Sequence, residues 1–359
     1  MASLVTPSIE SLVPYEAGKP IEEVARELGV PRAVKLASNE NPLGPSPKAV
    51  EAARAALSEA HRYPDAAAYR LRERLSAEHD LPMNQILQGN GSNELIELLI
   101  RTFSTPADHV VFADPSFVVY RLACLAHGVK FTAVPLKDFR HDLDAMTAAV
   151  TDSTRLLFVA NPNNPTGTYV TRQGVERFLK QVPAHVIVVM DEAYLQYPDA
   201  SDYPDSLTLR EARERLVVLR TFSKIYGLSA LRVGYALGPA PLIDYMNRVR
   251  APFNVGSIGQ AAALAALDDR DHVERSRREN REQRARLESA LPSLGLSIVP
   301  SQANFVFTDA GRPGRQVFDA LLRKGVIVRP MGTSNYLRIT VGTAEENDRL
   351  LAALKEVLA

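Results

Sequence analysis

The chain has 359 residues, 46% hydrophobic and 23% charged, so it carries enough apolar material for a sizeable core and is not mainly disordered. Its 42 Lys and Arg residues balance 42 Asp and Glu residues, and this neutrality argues against a nucleic-acid-binding or anionic-membrane protein. The single cysteine, Cys124, excludes an internal disulfide and a cysteine-rich zinc site.

The N-terminal region favours a cytoplasmic protein. Residues 1–10 lack the basic segment and apolar core of a secretory signal, and no stretch approaches the roughly 18 apolar residues of a transmembrane helix. The pattern over 21–28 predicts a short amphipathic helix that Gly29 ends. The Pro-rich stretch at 37–47 predicts an ordered loop or a linker, because prolines remove backbone donors. An alanine-rich helix is predicted over 47–59.

From residue 88 to residue 239, apolar runs alternate with helical patterns. Valine-rich runs predict buried strands at 110–112, 155–160, 186–190, 216–219 and 233–237. Helices are predicted between them, for example over 94–103 and 174–181. Because these apolar runs lack period-2 alternation, we expect both faces of the strands to be covered. The alternation predicts an α/β domain with a mostly parallel sheet flanked by helices.

The C-terminal third predicts a smaller α/β unit. Residues 258–291 carry only helical patterns, and the charged run at 268–286 is expected to be a solvated helix face. Strands at 304–308, 326–329 and 337–341 and a closing helix over 344–358 follow. The predicted organisation is an N-terminal arm over 1–40, a large domain over 41–255, and linking helices with a small domain over 256–359.

Functional residues of a parallel α/β sheet gather just past the carboxyl ends of its strands. Four predicted strands are followed by side chains with chemical capability: Asp191 and Tyr194, Ser223 and Lys224, Asn164, and Phe117. We expect these side chains to meet in one crevice.

These residues suit an aldehyde cofactor. A lysine in a crevice can form a Schiff base with an aldehyde, and pyridoxal phosphate requires such a lysine and an acidic partner for its pyridinium nitrogen. Lys224 is the candidate lysine, and Asp191 is the candidate partner. Tyr194 and Asn164 are candidate donors to the ring phenolate oxygen, and Phe117 is a candidate for stacking on the ring.

The cofactor phosphate needs hydrogen-bond donors. Residues 89–93, Gly-Asn-Gly-Ser-Asn, precede a helical pattern, and a helix N-terminus with exposed N–H groups binds anions. Ser223 and Arg232 would add a hydroxyl group and a cation. Taken alone, each motif also fits a structural role, such as a helix cap or the tight turn of Asn-Pro-Asn-Asn-Pro-Thr-Gly at 161–167. Their joint occurrence after successive strands favours the functional interpretation.

The order of these motifs resembles the fold-type I pyridoxal-phosphate aminotransferases. It runs through Gly-Asn-Gly-Ser, Asn-Pro-Asn-Asn-Pro-Thr-Gly, Asp-Glu-Ala-Tyr and Thr-Phe-Ser-Lys-x-x-Gly-Leu-x-x-x-Arg-x-Gly. More narrowly, the chain resembles the histidinol-phosphate aminotransferase family from about residue 12 to its C-terminus. The segments that carry this narrower resemblance are 13–15, 35–42, 62–65, 301–305, 326–330 and 337–342.

The resemblance implies cofactor roles by position. Lys224 would hold the cofactor and then move a proton, Asp191 would pair with the pyridine nitrogen, and Tyr194 and Asn164 would pair with the phenolate oxygen. The residues implied at the phosphate are Gly91, Ser92, Ser223 and Arg232, and Asn93, next to the phosphate turn, belongs to the implied cofactor-binding set. Tyr63 would reach the phosphate of the neighbouring subunit's cofactor, so the resemblance also implies a homodimer with shared active sites.

The resemblance implies substrate contacts as well. Arg338 and Arg329 match arginines that bind anionic ends of the substrate, and Tyr15, Asn39 and Asn304 would close over it. The chain departs from the family's common pattern at three places. Phe117 stands where many members have Tyr, Asn93 where many have Asp, and the connection at 331–335 looks short.

The leading hypothesis is therefore transamination of histidinol phosphate with 2-oxoglutarate, a step of histidine biosynthesis, with no metal required. The nearest alternative is an aromatic amino acid aminotransferase acting on phenylalanine or tyrosine. A pyridoxal-phosphate decarboxylase of a phosphorylated amino acid is a further alternative. A cofactor sensor fused to a DNA-binding module is disfavoured, because the charge is neutral and some 60 residues for that module are lacking.

Overall fold

A computed structural model describes residues 4–14, 20–29 and 33–359. Within these residues the α-helices are α1 Pro7–Glu10, α2 Ile21–Leu28, α3 Pro47–Ala56, α4 Tyr69–His79, α5 Gly91–Phe103, α6 Val119–His127, α7 Leu143–Ala148, α8 Arg172–Gln181, α9 Ala240–Val249, α10 Ser257–Leu267, α11 Arg270–Ser293, α12 Gly314–Arg323 and α13 Ala344–Leu358. Short 3₁₀ helices lie at Leu57–Glu59, Met83–Gln85, Ser206–Ala212 and Ser229–Leu231.

The β-strands in the same described ranges belong to three sheets. They are β1 Val34–Lys35, β2 Ile86–Gly89, β3 His109–Asp114, β4 Lys130–Pro135, β5 Thr154–Ala160, β6 Ile187–Asp191, β7 Leu216–Thr221, β8 Gly234–Leu237, β9 Ser297–Val299, β10 Phe305–Asp309, β11 Val326–Ile327, β12 Arg329–Pro330 and β13 Tyr336–Thr340.

The central sheet has seven strands in the order β2-β8-β7-β6-β5-β3-β4. Strands β7, β6, β5, β3 and β4 run parallel, whereas β8 is antiparallel to both of its neighbours. Alternate residues of β6 enter different cores: Val188 and Met190 pack on one face, and Ile187 and Val189 pack on the other. The predicted α/β fold, with a mostly parallel sheet covered by helices on both faces, is confirmed.

A second, four-stranded antiparallel sheet has the order β12-β13-β10-β9. Helices α11, α12 and α13 cover it with Leu291, Leu321 and Leu350 in a separate core. The predicted strand over 326–329 is divided. Its first half, β11, pairs with β1 from the N-terminal region, and its second half, β12, pairs with β13. Val328 lies between the two pairings, so the segment passes from one sheet to the other there.

The charged run at 268–286 is only in part the solvated helix face that its composition predicts. His272, Ser276, Asn280 and Arg284 form a buried stripe along α11, because a spacing of four residues keeps side chains on one helix face. Asn280 Nδ2 and Arg284 Nη1 donate hydrogen bonds to the Ala303 carbonyl oxygen at 3.3 and 3.4 Å. The stripe therefore ties α11 to the segment that enters β10.

The Pro-rich stretch at 37–47 is an ordered loop rather than a linker. Asn41 Nδ2 donates hydrogen bonds to the Ile225 carbonyl oxygen at 2.7 Å and to Ser276 Oγ at 2.9 Å. Ser46 then caps α3, where its side chain accepts a hydrogen bond from the Ala49 N–H group. In the described ranges, none of the helices has the length and apolar character needed to cross a membrane.

Candidate active site

The carboxyl ends of β5, β6 and β7 and the N-terminus of α5 surround one cavity. Most of the residues predicted from the strand ends and motifs line it: Asn39, Ser92, Asn93, Phe117, Asn164, Asp191, Tyr194, Ser223, Lys224, Arg232 and Arg338. These side chains come from positions as distant as 39 and 338, so only the tertiary fold brings them together.

Lys224 lies in the tight turn that follows β7. The Phe222 N–H group donates to the Val233 carbonyl oxygen at 3.0 Å, and the Gly227 N–H group donates to the Lys224 carbonyl oxygen at 2.9 Å. Lys224 Nζ is 3.4 Å from the Ser38 carbonyl oxygen. Burial, followed by the Arg338 charge, lowers the pKa of Lys224 from 10.5 to about 8. The neutral amine is therefore accessible near neutral pH.

Asp191 is the last residue of β6, and its side chain is buried. Its Oδ2 atom accepts a hydrogen bond from the Tyr120 hydroxyl at 2.7 Å, and its Oδ1 atom accepts one from the Ala193 N–H group at 3.3 Å. Burial raises the pKa of Asp191, whereas the Tyr120 hydrogen bond acts in the opposite direction. Tyr120 was missed at the sequence level, although it stands three residues after the predicted stacking residue Phe117.

The beginning of α5 and Arg232 form a cradle for an anion. Gly91 adopts a left-handed conformation with φ +75°, and a Cβ atom there would lie 2.5 Å from Arg232 Nη2. Arg232 Nη1 donates to Ser223 Oγ at 3.1 Å and to the Ser229 carbonyl oxygen at 3.0 Å. Ser92 is buried in the first turn of the helix. A guanidinium group, hydroxyl groups and a helix N-terminus thus converge, as phosphate binding requires.

Asn39 links the N-terminal loop to the cavity. It has a positive φ of 56°, and its side-chain Nδ2 donates to the Tyr194 hydroxyl at 2.9 Å. Its N–H group donates to Thr340 Oγ1 at 2.9 Å. Asn304 was predicted to contact substrate, but the structure places it behind Asn39, where its Nδ2 donates to the Asn39 carbonyl oxygen at 3.0 Å. This contact holds the backbone of the Asn39 loop.

The two predicted substrate arginines stand opposite each other on neighbouring strands. Arg329 of β12 pairs with Arg338 of β13 in antiparallel register, and directly opposed residues share a sheet face. Arg338 donates to Asn164 Oδ1 and to the Ala37 carbonyl oxygen, both at 2.6 Å. Arg329 lines an adjoining cavity whose walls also include Phe117, Asn164 and Arg338. The two cavities therefore adjoin and have these three residues as shared walls.

Of the predicted side chains that the structure describes, those of Tyr63 and Asn304 do not line these cavities. Tyr63 is 83% exposed and stacks on Phe253, with ring centroids 4.7 Å apart. Tyr15 lies outside the described residues. Gly91 contributes its backbone to the anion cradle but no side chain. Because Tyr63 does not line the cavities of its own chain, its predicted contact with a cofactor phosphate requires a second subunit.

A buried ion pair beneath the site was also missed at the sequence level. Arg220 Nη2 lies 2.9 Å from Glu192 Oε2 and 2.5 Å from Asp205 Oδ1. Glu192 Oε1 accepts a hydrogen bond from the Ser206 N–H group at 2.7 Å. These contacts join the end of β6 to the end of β7, the two segments that carry Asp191 and Lys224.

The arrangement fits pyridoxal phosphate. A partly buried lysine with a lowered pKa, a buried carboxylate and an anion cradle stand around one cavity, and Phe117 forms part of its wall. Lys224 would hold the aldehyde carbon, Asp191 the ring nitrogen, and Ser92, Ser223 and Arg232 the phosphate. A cavity that served only as packing space would not require this set of polar groups, since burying them is costly.

Comparison with known proteins identifies the family of the chain. Residues 31–354 match the family of aminotransferases of class I and II. The chain is 49% identical to histidinol-phosphate aminotransferase 2 of Pseudomonas aeruginosa over 99% of this chain and 98% of that protein. It is 50% identical to the histidinol-phosphate aminotransferase of Moorella thermoacetica over 98% of this chain and 92% of that protein.

Solved structures show the same fold. The histidinol-phosphate aminotransferase of Sinorhizobium meliloti, in complex with pyridoxal-5'-phosphate, is similar with a TM-score of 0.91 and 29% identity, covering 100% of this chain and 98% of that one. A double mutant of the aspartate aminotransferase of Thermus thermophilus is similar with a TM-score of 0.85 and 26% identity, covering 98% and 99%.

Proposed function

The chain belongs to the class I and II aminotransferase family, and we propose that it transaminates histidinol phosphate with 2-oxoglutarate, using pyridoxal phosphate. The observation that carries the chemistry is the cavity that holds Lys224, Asp191 and Arg232 together. The full-length identity to histidinol-phosphate aminotransferases supports the substrate and a role in histidine biosynthesis.

Bound pyridoxal phosphate would supply the electron sink that makes proton removal from the amino-bearing carbon feasible. The chain's own residues do the remaining work. Lys224 Nζ, with a pKa of about 8, can carry a proton and release it near neutral pH. The Asp191 carboxylate would hold a proton on the ring nitrogen, since opposite charges in a buried site attract strongly. The Tyr194 hydroxyl, held by Asn39, would donate to the phenolate oxygen.

Arg338 and Arg329 would receive the anionic ends of the two substrates in turn. Planar guanidinium groups bind phosphate and carboxylate oxygens through paired hydrogen bonds. Arg338 donates to two neutral acceptors, Asn164 Oδ1 and the Ala37 carbonyl oxygen, and a charged substrate group would replace them with a stronger partner. Exchange of these acceptors would also release Asn164 for the cofactor.

The substrate is tested with a panel on purified protein. Histidinol phosphate, phenylalanine, tyrosine and threonine phosphate are each offered with 2-oxoglutarate, and kcat/KM is measured for each. Histidinol phosphate is expected to give the highest value. A higher value for phenylalanine or tyrosine would replace the proposal with an aromatic aminotransferase. Release of carbon dioxide instead of glutamate would replace it with a decarboxylase.

A homodimer with shared active sites is part of the proposal, and it is supported by the exposed, stacked rings of Tyr63 and Phe253. Tyr63 would reach the phosphate bound in the other subunit. Subunit exchange between Tyr63→Phe and Lys224→Ala proteins should form heterodimers with one intact site. Activity that does not exceed that of the Tyr63→Phe protein alone would contradict the sharing. A cytoplasmic location belongs to the same proposal and is tested by cell fractionation.

A further inference from the structure

Tyr120 stands directly behind the candidate catalytic carboxylate. It lies in the first turn of α6, and its side chain is fully buried. Its hydroxyl donates to Asp191 Oδ2 at 2.7 Å, a short distance for a hydrogen bond to a carboxylate. Burial, followed by the Asp191 charge, raises the pKa of Tyr120 well above its usual value. The hydroxyl therefore remains a donor throughout the physiological pH range.

Aromatic packing fixes the Tyr120 ring from several sides. It stacks on Phe158 with ring centroids 4.8 Å apart and is tilted against Phe112 at 6.1 Å. It also meets Phe117 edge to face, with centroids 5.8 Å apart and an interplanar angle of 88°. Phe117 is the predicted stacking residue for the cofactor ring. The packed Tyr120 side chain thus contacts two residues at once. One is Phe117, which would stack on the cofactor ring, and the other is Asp191, which would pair with the ring nitrogen.

The Tyr120 hydrogen bond matters because Asp191 is otherwise sparsely supported. In the part of the chain that the structure describes, its carboxylate accepts hydrogen bonds from Tyr120 and from the Ala193 N–H group, and the latter is long at 3.3 Å. A buried carboxylate loses its hydration, so a donor that favours its charged form offsets that cost. A bond to Oδ2 also restricts rotation of the carboxylate.

We propose that Tyr120 is a positioning residue that keeps Asp191 charged and oriented for the ring nitrogen of the cofactor. This inference rests on the proposed function, since it requires pyridoxal phosphate in the cavity. Two further titratable groups, Lys224 and Tyr203, interact with Asp191 through their charges. Among the described contacts of the carboxylate, Tyr120 is its side-chain hydrogen-bond donor.

The test measures the affinity of the apoprotein for two compounds that differ at one ring atom. Pyridoxal phosphate has the ring nitrogen, and 1-deazapyridoxal phosphate has carbon in its place. Tyr120→Phe removes the hydroxyl and keeps the ring packing. We expect it to weaken pyridoxal phosphate binding by about tenfold or more, the usual effect of losing a charge-assisted hydrogen bond. Binding of the deaza compound should not weaken, because it presents no nitrogen to Asp191.

Tyr203→Phe is the matched control. The Tyr203 hydroxyl donates at 2.6 Å to the Asn161 carbonyl oxygen, so this variant also loses one short hydrogen bond, but not one to a carboxylate. It should leave both affinities unchanged. Thermal unfolding of the two variants then compares their structural costs directly.

A double-mutant cycle completes the design. In an Asp191→Asn background, Tyr120→Phe should have no further effect on pyridoxal phosphate binding, because the charge that it supports is gone. Equal weakening of both compounds in Tyr120→Phe, or an undiminished effect in the Asp191→Asn background, would overturn the positioning role alone. Failure of the unsubstituted protein to bind pyridoxal phosphate would overturn the proposed function itself.

Discussion

The cofactor end and the substrate end of the site are built in different ways. The cofactor end comes from neighbouring parallel strands and one helix N-terminus: Asp191 ends β6, Lys224 follows β7, and Ser92 lies in α5. The substrate end combines Arg338 and Arg329 of a separate sheet with Asn164 and the Asn39 loop. One end is set by a single sheet, and the other depends on how distant segments pack together.

The two ends also differ in the acceptors of their charged groups. Asp191 is buried and bonded to Tyr120, and Arg232 is bonded to Ser223 and Ser229. Arg338 also donates to neutral acceptors, but they lie 174 and 301 residues away along the chain, whereas those of Arg232 lie 9 and 3 residues away. We therefore expect ligand binding to change the hydrogen bonds of the substrate end, where Arg338 bridges distant segments, more than those of the cofactor end. Substitutions at the two ends should therefore differ in size and in substrate dependence.

The largest effect is expected from Asp191→Asn at the cofactor end. Opposite charges about 4 Å apart attract by about 4 kcal/mol at an intermediate effective dielectric constant, which corresponds to about a thousandfold in rate. The variant should fold and bind cofactor yet lose about a thousandfold in kcat for every substrate. Steady-state kinetics with circular dichroism as the folding control measures this. Turnover at the parent rate would contradict the assignment of Asp191.

Arg338→Lys should give the next largest loss. Lysine keeps the charge but cannot form the paired hydrogen bonds of a guanidinium group, and such bonds contribute about 1.5–3 kcal/mol each. We expect kcat/KM to fall about tenfold to a hundredfold in both half-reactions, because both substrates place an anionic end there. Single-turnover kinetics with each substrate tests the two halves separately. A loss confined to one half-reaction would mean that the substrates do not share Arg338.

The loss of kcat/KM in Arg329→Lys should be smaller than in Arg338→Lys, and it should depend on the substrate. Arg329 lines the adjoining cavity, so its substitution should reduce kcat/KM about tenfold for histidinol phosphate and leave an aromatic amino acid nearly unchanged. Arg155→Lys, in an ion pair with Asp108 at 2.8 Å, is the matched control for a surface arginine. Equal losses for both substrates would remove the reason to assign Arg329 to the substrate phosphate.

The smallest expected effect is the pH dependence of the rate at which Lys224 reacts with pyridoxal phosphate. Only the neutral Lys224 amine reacts with an aldehyde, and with a pKa of about 8 its neutral fraction rises from about a tenth at pH 7 to about half at pH 8. The apoprotein should therefore react with pyridoxal phosphate about fivefold faster at pH 8 than at pH 7. Arg338→Met removes a charge that lowers this pKa, so its midpoint should move upward. A midpoint near 10.5 in the parent protein would contradict the burial argument.

The sequence predicted the strands that carry the cofactor end better than those that carry the substrate end, and the reason is physical. Strands β5, β6 and β7 are continuous apolar runs, and residues at their carboxyl ends must meet at one sheet edge. Strand β4 was not predicted, because most of its residues are partly or fully exposed and it lacks a continuous apolar signal. The separation of β11 from β12 depends on pairing with β1, a contact across about three hundred residues that no local pattern reports.

Individual side chains follow the same rule. The motif around Asp191 pointed to the carboxylate, but its hydrogen bond from Tyr120 depends on how α6 packs against the central sheet. Asn304 was predicted as a substrate contact, yet the packing of β10 places it behind Asn39. The contacts of Tyr120 and Asn304 depend on the docking of two elements, which no motif at a single strand end reports.

Chemical trapping on Lys224 tests the central claim most directly. Purified protein incubated with pyridoxal phosphate is reduced with borohydride, digested and mapped by mass spectrometry, with Lys224→Ala protein as the control. We predict a yellow protein that bleaches on reduction and carries one reduced adduct, on Lys224, which the control lacks. A colourless protein that gains no absorbance with pyridoxal phosphate, or an adduct that persists in the Lys224→Ala protein, would contradict the account.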